Sequence, residues 1–204
     1  MKTHDCILLL LSIILILVVI TNRRDLESFV NILTDSNFRN LVKLNGKNGK
    51  KYHVQEHFPN SQAAAHVLSE LDITMTKFIR KLQAKYPNHP GVTRLNKYNS
   101  NNIIEGHPIN KEGSTSYSVN KGEKVVFCLR SKRNKQLHHL NLLIFVGIHE
   151  LAHIMSVSYG HNAEFMQNFK FLLKNALNFG IWKKINFSLN PQEYCGMPVT
   201  SSPI

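Results

Sequence analysis

The sequence predicts an α+β fold: a single domain of long helices and a small antiparallel sheet. Three observations carry this. Apolar residues recur at spacings of three and four before Pro87, and again after Leu140, as amphipathic helices require. Between these runs, alternating residues flank Asn120-Lys121-Gly122 in the manner of a β-hairpin. A chain of 204 residues also has the length for one domain with a sizeable core plus an N-terminal extension.

The extension comes first. Residues 7–20 carry no charge and one polar side chain, Ser12. As a helix from Cys6 this run would reach about 22 Å, against a hydrocarbon core of about 30 Å. Thr21, Asn22 or local bilayer thinning would close part of the gap. Residues 1–22 are read as a transmembrane anchor, with a cleaved signal peptide or a buried helix as competing readings. Arg23 and Arg24 after the run, against Lys2 before it, favour a cytosolic C-terminal domain on a single-pass anchor. Residues 23–50 read as a linker ending in Asn45-Gly46-Lys47-Asn48-Gly49-Lys50, and residues 51–204 as the folded domain.

Tyr52-His53-Val54 is the first short strand. Ser61 is the N-cap candidate of a helix reaching about Tyr86, with Ala65, Leu68, Leu71, Met75, Phe78, Ile79 and Leu82 facing the core. Residues 92–109 read as loop with short strands on either side. Ser114–Val119 and Lys124–Arg130 form the hairpin. Leu140, Leu143, Ile144, Ile148, Leu151, Ile154 and Met155 mark a buried helix. Tyr159-Gly160 is expected to stop it, since glycine tolerates the left-handed conformation found at helix ends. Asn162 then caps a last helix with Phe165, Phe169, Leu172, Leu173, Ala176 and Leu177 on its apolar face. Tyr194-Cys195-Gly196-Met197-Pro198 reads as a tight turn. Cys128 and Cys195 are either a disulfide or two buried thiols.

The buried helix contains His149-Glu150-Leu151-Ala152-His153, an HExxH pentapeptide. Residues four apart share a helix face, so His149 and His153 can bind one zinc ion. Glu150 then stands beside the metal as the base that takes a proton from an activated water. Zn2+ needs a third protein ligand. His161 follows the glycine, and Glu164 competes with it, although an acid in a first helical turn also answers the helix dipole. No CxxC is present, which argues against a closed structural zinc site. Tyr117, Tyr159 and Tyr194 are candidates for a second electrophile. Met197 is either a core residue or a methionine beneath the metal.

The chain has 25 Lys and Arg against 13 Asp and Glu, a net charge of +12. Lys77, Arg80, Lys81, Lys85, Arg94 and Lys97 form one basic run, and Lys121, Lys124, Arg130, Lys132, Arg133 and Lys135 another. This suits nucleic acid, an anionic membrane or an acidic substrate, and equally a solvated lysine-rich surface. Oligomeric state has no signature here.

The hairpin residues Asn120-Lys121-Gly122 and Phe127-Cys128-Leu129-Arg130, the HELAH helix, His161 and Phe165 together resemble the WLM and SprT-like zincin metallopeptidases, over roughly residues 115–178. The apolar N-terminus and the Tyr194-Cys195-Gly196-Met197 ending are similar to uncharacterised membrane-anchored metallopeptidase-like proteins of large DNA viruses. The resemblance implies His149, His153 and His161 as zinc ligands and Glu150 as catalytic base. It implies a zinc endopeptidase acting on protein or peptide substrates. The interval from His153 to His161 is a little longer than in typical WLM members. Two alternatives are a catalytically silent membrane or virion protein with a zincin fold and a basic nucleic-acid-associated protein.

Overall fold

The computed structural model describes residues 40–107 and 115–204. The expected anchor, residues 7–20, lies outside them. Among the described residues no helix is long and apolar enough to cross a membrane.

Strands β1 (Leu41–Asn45) and β2 (Lys51–Gln55) pair antiparallel, with Leu41 opposite Gln55 and Asn45 opposite Lys51. The run expected to close a linker is the turn of this hairpin. Gly46 donates its N–H to the Lys50 carbonyl at 2.8 Å, and Gly49 sits at φ 79°. Residues 41–50, expected in the linker, thus form β1 and the turn into β2. Glycine and asparagine mark a flexible linker and a tight turn alike. What separates the two is the strand pattern on both sides, and only its second half, Tyr52-His53-Val54, stands out in the sequence.

Helix α1 (Ser61–Lys85) buries all seven residues assigned to its core face. Ser61 is its first residue rather than its cap. The Ser61 hydroxyl donates to the Gln55 and Phe58 carbonyls, and Asn60 enters the helix at φ 65°. A short α2 (Pro90–Arg94) and a 3-10 turn (Leu95–Lys97) lead to β3 (Ile103–Glu105). The helical crossover returns the chain so that β3 lies parallel to β2, His53 beside Ile104. After β4 (Tyr117–Val119), strand β5 (Lys124–Phe127) pairs parallel to β3 and antiparallel to β4. The sheet order is β1-β2-β3-β5-β4. The expected small antiparallel sheet is thus a five-stranded mixed sheet, antiparallel only at its two margins. Hairpins announce themselves locally, whereas a parallel neighbour across a 25-residue helix does not.

Beyond the sheet come α3 (Leu140–Met155), α4 (Ala163–Asn178) and a separate hairpin of β6 (Gln192–Tyr194) and β7 (Met197–Val199). Helix α3 packs against α1 and α4. At Gly147 a Cβ would stand 2.9 Å from the Met75 sulfur, so the two helices approach closely there. Phe145 meets Phe169, Trp182 and Phe187 at ring separations of 5.3, 5.5 and 4.7 Å. These contacts hold α3 rigidly as the central helix.

Two covalent or ionic ties complete the frame. Cys128 and Cys195 form a disulfide across 67 residues, joining the end of β5 to the β6–β7 turn, where Cys195 has φ 51° and Gly196 φ 86°. Arg130 and Glu105 form a wholly buried ion pair, Nε to Oε1 at 2.7 Å. Arg130 also donates to the Pro59 carbonyl at 2.7 Å, while Glu105 Oε2 accepts the Gln55 N–H at 2.8 Å. This cluster locks β2, β3, the entry to α1 and the segment after β5 to one another.

Candidate metal centre

Helix α3 carries His149, Glu150 and His153 in its last two turns and ends at Met155, four residues before the expected stop. Two cations from distant segments cover the helix end. Arg94 donates Nε to the Met155 carbonyl at 2.6 Å. Lys121, at the tip of the β4–β5 hairpin, donates to the carbonyls of His153, Ser156 and Ser158 at 3.2, 3.0 and 2.6 Å. Both cations satisfy orphan carbonyls at the negative end of the helix. Lys121 and its neighbour Asn120 adopt left-handed conformations, φ 58° and 47°, which aim the lysine at the helix end. The sequence placed Lys121 in a turn and a basic run. Nothing local signals that it caps a helix more than thirty residues downstream.

Released at Ser156, the chain loops back and returns His161 to the helix. Gly160 sits in this loop at φ 80° with open space around it. The Nε2 atoms of His149, His153 and His161 lie 3.2, 3.2 and 3.0 Å apart. Three imidazole nitrogens on a tetrahedral zinc, with bonds of about 2.0–2.1 Å, stand roughly 3.3 Å from one another. The donor set fits such an ion, and these three residues form a cluster that can hold a metal. Burial, aided by the neighbouring imidazoles, pushes His149 down to about 3 and His153 to about 4. Both are neutral at physiological pH, the form that ligates metals. Phe165 packs against all three rings at 4.8, 4.3 and 4.7 Å and restricts their motion.

Glu150 is buried, and its Oε2 has no hydrogen-bond partner among the described residues. Burial pushes its carboxyl up to about 8. A buried carboxylate without a partner fits a site completed by a cation and a water, since a nearby dication restores the charged form.

Glu164, the rival third ligand, is engaged elsewhere. Its oxygens accept the backbone N–H groups of Val157 and Ser158 at 2.8 and 3.0 Å and the Ser158 hydroxyl, and Arg94 stands 3.8 Å away. These hydrogen bonds, the Ser158 hydroxyl first, hold its carboxyl down to about 2. Glu164 is a clamp on the loop that presents His161. Asn162 caps α4 as expected, accepting the Phe165 N–H at 3.1 Å. Glu164→Gln loses one acceptor of the clamp. It is expected to weaken zinc affinity about 10–100-fold, as measured by competition with a chromophoric chelator, without removing a ligand.

A cleft of about 570 Å³ opens over these residues. Its lining includes Thr115 and Ser116, the edge strand β4, Tyr194 and the segment from Met197 to Ser201. All three tyrosine candidates line the cleft, in different settings. Tyr159 is 80% exposed with Lys121 Nζ 4.2 Å above its ring. Tyr117 lies half-buried in β4. Tyr194 is buried, faces the cleft and shares a short hydrogen bond with Ser116, whose oxygen also accepts the Cys128 N–H at 3.1 Å. Met197 is 51% exposed on the cleft rim, so it is not the core residue that was one of its two expected roles.

No family model matches the chain. It is 33% identical over 155 residues to the uncharacterised protein R325 of Acanthamoeba polyphaga mimivirus, a stretch covering 74% of this chain and 77% of that protein. The chain belongs to the family of that viral protein. Related proteins occur in Invertebrate iridescent virus 6, where protein 136R is 32% identical over 50% of this chain and 61% of its own length. Protein 042R of Invertebrate iridescent virus 3 is 35% identical over 46% of this chain and 57% of its own. Among solved structures, Wss1 from Saccharomyces cerevisiae is 18% identical with a TM-score of 0.47, covering 62% of this chain and 87% of that one. At that level of likeness, function rests on the geometry of the site itself.

Proposed function

We propose that this protein is a zinc-dependent endopeptidase. The observation that carries the reading is the convergence of three imidazole nitrogens beside a buried, unpartnered glutamate at the floor of a cleft. His149, His153 and His161 would hold the ion, which when bound supplies Lewis-acid polarisation of a water and of the scissile carbonyl. Glu150 accepts the proton of the attacking water and passes it to the departing amine. Burial around Glu150 strengthens its interaction with charge in the site.

Strand β4 is the outer strand of the sheet, so an extended polypeptide can add to it by backbone hydrogen bonds and bring a carbonyl to the cleft floor. Tyr194 is the favoured second donor to the developing oxyanion, because its hydroxyl is buried at the cleft wall and oriented by Ser116. The disulfide at the adjacent Cys195 fixes that wall. Tyr194→Phe is expected to lower kcat about 100-fold with little change in KM or zinc content.

The test is cleavage of a reduced, carboxymethylated protein by the purified full chain. Fragments should appear, cease after zinc chelation and return on adding zinc. Cleavage that persists in chelator would exclude a metal-dependent mechanism.

A further inference from the structure

Asn186-Phe187-Ser188 is the only Asn-x-Ser or Asn-x-Thr triplet in the chain. Such a triplet accepts an N-linked oligosaccharide when its asparagine stands on the surface of a domain that reaches the secretory lumen. The fold meets the first condition. Asn186 is exposed in the segment after α4 and is not among the residues that line the cleft. Phe187 is 1% exposed, with its ring 4.7 Å from that of Phe145. The core thus holds the middle of the triplet, while Asn186 and Ser188 on either side stay in solvent. The Ser188 hydroxyl and the Leu189 N–H donate to Asn186 Oδ1 at 2.7 and 3.3 Å. Both bonds use the amide oxygen. Among the described residues no hydrogen bond engages Nδ2, the atom that would carry the sugar. Leu189, at 84% the most exposed large apolar side chain of the described residues, lies three residues on in the same turn, which the Asn190 N–H closes on the Asn186 carbonyl. A bulky, solubilising glycan on Asn186 would screen it from other chains.

The second condition is answered by a separate feature. Cys128 and Cys195, both 1% exposed, form a disulfide across 67 residues. A structural bridge of this kind forms and persists in oxidising compartments and is rare in a reducing cytosol. The triplet and the bridge share no residue, and both call for the same compartment. The charges flanking residues 7–20 favour the other side, but two arginines against one lysine differ by a single cation. An apolar run of that kind is also what a translocation channel engages, as a retained anchor or as a cleaved leader alike.

From these observations we infer that Asn186 carries an N-linked oligosaccharide and that the folded domain matures in the lumen of the secretory pathway. The donor is a lipid-pyrophosphate-linked oligosaccharide. Asn186 Nδ2 attacks the anomeric carbon of its first sugar. A C–N bond forms, the C–O bond to the pyrophosphate breaks, the pyrophosphate leaves with the electron pair, and one Nδ2 proton passes to the transferring enzyme. Neither the site nor its compartment depends on the peptidase reading.

The experiment translates the full chain in the presence of rough microsomes. Most of the wild type should run as a slower band that peptide-N-glycosidase returns to the unmodified mobility, leaving aspartate at position 186 by mass spectrometry. Asn186→Gln and Ser188→Ala should lose the shift. Ser188→Thr should keep it, which ties the loss in Ser188→Ala to the missing hydroxyl rather than to misfolding. An unshifted wild type overturns the inference in either of two ways. If added protease cannot reach the domain, it lies in the lumen with Asn186 unused. If protease digests it, the domain faces the cytosol. A shift that survives Asn186→Gln would overturn the assignment to this residue.

Discussion

Glu150→Gln is expected to slow peptide hydrolysis by about 10³-fold while the protein keeps its zinc and its fold. Glutamine has the shape of glutamate and keeps α3 intact, but it cannot accept the water's proton. The three histidine nitrogens are untouched, so metal content should equal that of the wild type. Stability supplies a second signature. In the metal-free protein, burial raises the Glu150 carboxyl to about 8, above the ordinary carboxylate value it takes in the unfolded chain. Between those limits the folded state binds the extra proton, so Glu150 costs the metal-free wild type stability as pH rises toward 8, against the gain that the depressed His149 and His153 give wild type and Glu150→Gln alike. Metal-free Glu150→Gln lacks the ionising group and should not share this loss. Chemical denaturation of both proteins at pH 5 and at pH 8 checks it. Equal pH slopes would mean that Glu150 is not buried as described.

Arg130→Leu carries the largest expected cost to the fold, about 3–5 kcal/mol. The side chains of Arg130 and Glu105 are 1% and 0% exposed, and the guanidinium bonds the Pro59 carbonyl as well as the carboxylate. Removing the arginine leaves the Glu105 carboxyl, which burial already pushes up, without its counter-charge in the core, and frees the entry to α1. For a domain of this size the melting temperature should fall on the order of 10 °C. Arg130→Leu combined with Glu105→Gln should recover part of the loss, because the unpaired acid is gone and the amide oxygen can still accept the Gln55 N–H. A double variant no better than the single would show that packing of the arginine, not its charge, carries the stability.

The helix that carries His149 and His153 was legible because its pattern is local. Histidines four apart on a 3.6-residue helix share a face whatever the rest of the chain does. The core face of α1 was legible for the same reason. His161 and Glu164 were only candidates, since choosing between them needs the path of the loop between α3 and α4. That path depends on where α3 stops, and Lys121 and Arg94 from distant segments hold the carbonyls at that end. Register and direction in the sheet centre were also beyond local pattern, because β2 and β3 are joined through the whole of α1. The disulfide needed the fold as well: Cys128 and Cys195 approach to a Cα separation of 6.1 Å only once the β6–β7 hairpin lies against the end of β5.

The most direct measurement is the zinc content of the purified full chain after exhaustive dialysis, for the wild type and for His161→Ala. The account predicts about one zinc per wild-type chain and a strongly reduced content in His161→Ala, with both proteins folded by circular dichroism. A folded wild type that retains no zinc, and takes up none when zinc is added back, would contradict it.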